Sequence, residues 1–65
     1  MIKYRIWIES RNYGNIVYAK DKVRAIEEYS EWFCANVKPL EGLCIVNIVD
    51  IAVSNEVEMF TLEFE

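Results

Sequence analysis

No histidine occurs in this chain. That absence removes histidine-assisted nucleophiles, histidine general bases and most zinc sites. Only two glycines and one proline are present, too few to build a glycine-rich phosphate loop. Two cysteines, Cys34 and Cys44, make no disulfide framework and no structural zinc site. They fall near the end of one expected element and the start of the next, which leaves a bridge between them as an open alternative to two reduced thiols. No apolar run approaches the roughly 18 residues that span a bilayer. Met1 runs straight into an alternating pattern, so neither a signal peptide nor a membrane anchor is expected. The expectation is a cytoplasmic protein with no membrane partner.

One further absence organises the charge. No lysine or arginine follows Lys38. Residues 1–40 hold all seven basic side chains against Glu9, Asp21, Glu27, Glu28 and Glu31. Residues 41–65 hold Glu41, Asp50, Glu56, Glu58, Glu63 and Glu65 unopposed, and the chain as a whole carries −4. At 65 residues the chain is long enough for one core and short of room for an enclosed active site. The two parts therefore share that core, and the charge split becomes a dipolar surface suited to docking. Its 54% hydrophobic content excludes disorder.

Five elements are expected. Ile2, Tyr4, Ile6 and Ile8 alternate with Lys3, Arg5, Trp7 and Glu9, the pattern of a half-buried strand. Turn formers in Ser10–Asn15 lead to a returning strand, Ile16–Ala19, with Val17 and Ala19 inward. Asp21 is a suitable N-cap for a helix ending near Asn36, before Pro39. At 100° per residue, Trp32, Ala25, Tyr29, Phe33, Ile26, Val37 and Val23 share one arc, opposite Arg24, Glu27, Glu28 and Glu31. Leu43–Val53 is apolar on both alternating faces and reads as a central strand, kinked or bulged near Asp50. A turn at Ser54-Asn55-Glu56 precedes a last strand, Val57–Glu65, with Phe60, Leu62 and Phe64 inward.

The expected architecture is a single two-layer α+β domain: ββαββ, a four-stranded antiparallel sheet of order 2-1-3-4 with one helix on one face. A helix about 10–12 Å wide covers two or three strands spaced about 4.8 Å, so the other sheet face is left bare. Trp7, Ile16 and Tyr18 point to that bare side, as interface residues do.

Chemistry finds no home in these residues. Glu27, Glu28 and Glu31 lie on the convex side of the helix, with no cleft to raise a carboxyl pKa. They read as a solvated face or a docking surface, and no enzyme, cofactor or metal site is expected. Arg5, Trp7 and Tyr18, with Lys3 and Lys20, make a basic and aromatic cluster of the sort that stacks single-stranded bases. A net charge of −4 and an acidic second half repel phosphate and weigh against direct nucleic-acid binding.

Three stretches carry a resemblance: Tyr4-Arg5-Ile6-Trp7-Ile8-Glu9-Ser10, then Ile16-Val17-Tyr18-Ala19 with Asp21, then Arg24-Ala25-Ile26-Glu27 continuing to Tyr29-Ser30-Glu31-Trp32. Together they resemble the small RNA polymerase inhibitors of T7-like bacteriophages over roughly residues 4–50. The resemblance implies a ββαβ core and a host protein, RNA polymerase or another nucleic-acid-handling machine, as partner. Where that family's third strand carries arginines toward the polymerase, Val46–Ile51 offers Asn47 and Asp50. Val57–Glu65 adds a strand to the family plan. The expected partner-binding residues are thus Glu27, Glu28, Glu31, Arg5, Trp7, Tyr18, Asn47 and Asp50. A homodimer through the bare sheet face is the rival expectation.

Overall fold

The architecture described here is that of a computed structural model, which describes residues 1–9, 14–53 and 56–64. Strand β1 (Ile2–Ile8) and strand β2 (Asn15–Ala19) precede helix α1 (Lys22–Asn36), followed by β3 (Gly42–Asp50) and β4 (Glu58–Phe64). All neighbours in the sheet are antiparallel and the order is β2-β1-β3-β4, as the element pattern predicts. The turn residues at 10–13 and 54–55, together with Glu65, lie outside the described residues.

Register follows from the alternation. Tyr4 pairs with Val17 on one side and Asp50 on the other, and Ile6 pairs with Ile48, Ile8 with Val46. One sheet face therefore carries Tyr4, Ile6, Ile8, Val17, Ala19, Val46 and Ile48, and α1 lies on it. The helix contributes Ala25, Ile26, Tyr29 and Phe33 to the same core, with Leu40 closing one end. Tyr29 and Phe33 are among the largest fully buried side chains, their ring centroids 5.9 Å apart. Burial in this core pushes the Tyr29 hydroxyl pKa up. Burial and the neighbouring Asp50 carboxylate do the same for Tyr4.

Both helix ends are closed locally. Asp21 is extended, and its Oδ1 accepts the Arg24 amide hydrogen bond at 2.8 Å, satisfying one of the free donors of the first turn. At the other end the amides of Val37 and Lys38 both donate to the Phe33 carbonyl oxygen. Gly42 then opens β3 at a φ of 68°, a left-handed conformation that glycine adopts without penalty.

Three expectations require correction. The third strand ends at Asp50 rather than running to Val53, because the Asp50 carboxylate accepts from the Ala52 amide at 3.1 Å and turns the chain. Residues 51–53 form that turn, although the Ile51 amide still donates to the Lys3 carbonyl oxygen. Val23 and Trp32, placed in the helix's apolar arc, are 64% and 41% exposed. They lie at the two margins of an arc wider than the strip of helix that touches the sheet. The third correction concerns β4, which begins at Glu58 rather than Val57.

Candidate functional site

The backbone of helix α1 sits over β2, β1 and β3 and makes no close approach to β4. Phe60, Leu62 and Phe64 point to the helix side of the sheet, since they pair with Val46, Cys44 and Gly42. They reach the core only at its edge and stay half-exposed. The result is an apolar groove of about 490 Å³ between α1 and β4. Val23 and Ile26 form its helix wall and the three β4 side chains its floor, while Glu27 and Glu31 also line it. Glu63 borders it between Leu62 and Phe64, with its side chain on the open face beside its register partner Leu43. Ser30 belongs to the same lining, and its hydroxyl oxygen is buried without a hydrogen-bond partner among the described residues. At the first turn of α1 the Lys22 ammonium pairs with the Glu58 carboxylate and ties the helix to β4.

The three helix carboxylates grouped by sequence separate here. Glu27 and Glu31, one turn apart, turn toward β4 and its groove. Glu28 turns the other way, toward a slightly smaller cleft of about 430 Å³ with Asn15, Val17, Tyr18, Tyr29 and Trp32. Arg24 lies near both sides, 3.3 Å from a Glu27 oxygen and 3.6 Å from a Glu28 oxygen. Exposed pairs of this kind contribute little to stability, about 1 kcal/mol at most, but they neutralise part of the acidic surface at both Glu27 and Glu28. Glu31 has no base among the groove residues.

The opposite sheet face is open. Lys3, Arg5 and Trp7 of β1 stand beside Tyr18 and Ile16 of β2 and beside Val49, Asn47 and Ile45 of β3. Leu43 and Met59, 73% and 69% exposed, extend the apolar surface toward β4. Arg5, Trp7 and Tyr18 are thus brought onto one surface, as the alternation requires. Asn47 shares the face but is only 4% exposed. It lies between Trp7 and Met59 in register, and its Nδ2 donates to a Glu9 carboxylate oxygen at 2.9 Å. Its amide holds Glu9 in place and presents little to a partner.

Asp50 belongs to the helix-facing side, opposite Tyr4, and its carboxylate is used in the turn at Ala52. Asn47 and Asp50 therefore share no surface. Sequence reasoning missed Phe60, Leu62 and Phe64 as members of a site. The available signal was the ratio of one helix to four strands. Neither cysteine is in a disulfide: Cys34 is exposed on α1, and Cys44 Sγ lies 3.7 Å from the Glu41 carbonyl oxygen.

Among the described residues no group of three histidine, cysteine, aspartate or glutamate side chains is placed to hold a metal ion. Among the same residues no helix is long and apolar enough to cross a membrane. These features define an open-faced α+β protein with an acidic, apolar-floored groove. No family model, no curated protein and no solved structure significantly matches the chain.

Proposed function

We propose that this chain is a binding protein without catalytic activity, of the kind a bacteriophage uses to inhibit a basic, nucleic-acid-handling protein of its host, RNA polymerase being the leading target. The observation that carries this reading is the placement of two helix carboxylates, Glu27 and Glu31, one turn apart along the rim of one apolar groove. Carboxylates beside an apolar floor complement a positively charged surface that carries apolar side chains. The unopposed acid of the second half supplies a field that steers such a partner and is screened by salt. The resemblance of residues 4–50 to the phage polymerase inhibitors supports the same reading.

Binding to bacterial RNA polymerase holoenzyme, measured at rising salt, tests it. The double variant Glu27→Lys with Glu31→Lys is expected to bind more weakly while keeping its helix content. The double variant Lys3→Glu with Arg5→Glu is expected to bind about as well as the parent. The opposite order of effects would transfer the activity to the open sheet face. A second reading, self-association through that face, is favoured by the exposure of Ile16, Tyr18, Leu43 and Met59 on it. Sedimentation of the purified chain decides it.

A further inference from the structure

Resting on that reading, the geometry points to the α1–β4 groove as the seat of a single basic amphipathic helix from the partner protein, lying beside α1 over β4. Three observations meet there. The first is width. Four strands at about 4.8 Å span more than one helix about 10 Å across, and helices on a sheet pack about 8–10 Å apart. With α1 over β2, β1 and β3, an axis laid along β4 runs two strand spacings, about 9.6 Å, from the middle strand of that trio, within the packing distance of two helices.

The second is chemistry. The floor is Phe60, Leu62 and Phe64 and the near wall is Val23 and Ile26, so the occupant presents an apolar stripe. A helix laid in such a groove reads through side chains at i, i+3, i+4 and i+7. Seven β4 residues at about 3.3 Å each make a bed about as long as a helix of fifteen residues. The buried Ser30 hydroxyl, without a partner of its own, offers a hydrogen bond to a polar side chain of the entering segment.

The third is charge. Glu27 and Glu31 flank the groove on the helix side, and no lysine or arginine belongs to its lining, although Arg24 reaches the Glu27 carboxylate from outside it. Lysines or arginines on the flanks of the apolar stripe complement that arrangement. An acidic helix is repelled by it. A catalytic pocket is a poorer match, since the lining provides apolar side chains and carboxylates but no nucleophile with an adjacent base.

The test uses the full chain and two synthetic eighteen-residue amphipathic helices with identical leucine stripes, one flanked by lysines and one by glutamates. Amide chemical shifts are followed in 50 mM and 300 mM salt. The lysine peptide is expected to shift Val23, Ile26, Ser30, Phe60, Leu62 and Phe64, and to bind more weakly at the higher salt. The glutamate peptide is expected to leave them unmoved.

Glu27→Lys combined with Glu31→Lys is expected to weaken the lysine peptide about tenfold, as two exposed ion pairs of about threefold each would. If that variant fails to fold, Val23→Gln, an exposed groove position, serves in its place with a loss of a few-fold. The inference is overturned if the lysine peptide shifts Trp7, Tyr18 and Met59 instead. It is equally overturned if both peptides bind alike, or if the groove residues do not move. If the groove fails while RNA polymerase is still bound in a manner sensitive to Glu27 and Glu31, the helix is wrong and the acidic docking stands. Loss of polymerase binding alone would leave the groove and refute the target.

Discussion

Strands β3 and β4 are neighbours with the same alternation, and they end in different states. The β3 side chains Val46 and Ile48 are completely buried, while the β4 side chains Phe60 and Leu62, which share their face, are half-exposed. The difference is not one of hydrophobicity, since phenylalanine and leucine bury as readily as valine and isoleucine. It comes from lateral placement: α1 lies over one strand and stops short of the other. Alternation in a strand states which side chains share a face. What lies above that face is decided by another element.

The largest expected effect tests the covered side. Phe33→Ala removes a fully buried ring from the centre of the helix–sheet contact and is expected to cost about 3–5 kcal/mol. Against a stability of about 5 kcal/mol for a domain at the low end of the range, urea denaturation would find the variant barely folded. Leu62→Ala makes a similar truncation on the uncovered side and is expected to cost only about 1–2 kcal/mol, since less apolar surface returns to water. Equal losses at the two positions would break the comparison. Saturating the groove with the lysine peptide should enlarge the Leu62→Ala loss and sharpen it.

A smaller effect concerns how α1 holds its position. Asp21→Ala deletes the N-cap and is expected to cost about 1 kcal/mol, read as a lower thermal midpoint with the sheet pairing intact. The smallest concerns the tie across the groove. Glu58→Gln removes the charge of the exposed Lys22–Glu58 pair and is expected to cost at most about 0.5 kcal/mol, shrinking further in high salt. A loss above about 2 kcal/mol would mean that β4 depends on this ion pair rather than on its strand pairing.

Much of the fold was legible because its signals are local. Period-2 alternation in Ile2–Ile8, the N-cap at Asp21 and the arc through Ala25, Ile26, Tyr29 and Phe33 each lie within one element. The strand order followed from connection rules. The site was only partly legible. Helical spacing set Glu27, Glu28 and Glu31 on one outward surface, yet the two sides of that surface face different strands, and only packing separates them. Val23 and Trp32 show the same limit, because an apolar arc has margins that the sheet need not cover. Asn47 is expected among the partner-binding residues and is buried instead. Its burial depends on Trp7, Met59 and Glu9 arriving from other parts of the chain. The end of β3 hinges on one hydrogen bond from the Ala52 amide to Asp50, which competes with a run of strand-forming residues that continues past it.

The strand order carries a kinetic consequence. The β1–β2 and β3–β4 pairings join sequence neighbours and can form early as separate hairpins. The β1–β3 seam alone joins strands from the two ends of the helix, setting Ile6 against Ile48 and Ile8 against Val46 at the middle of the core. Closing it confines the whole intervening chain before its contacts repay the loss of freedom, so this seam sets the slow step of folding. The same arithmetic works in reverse at high concentration. Two chains that open at this seam can each accept the other's β3–β4 hairpin, remaking the β1–β3 pairing between molecules instead of within one.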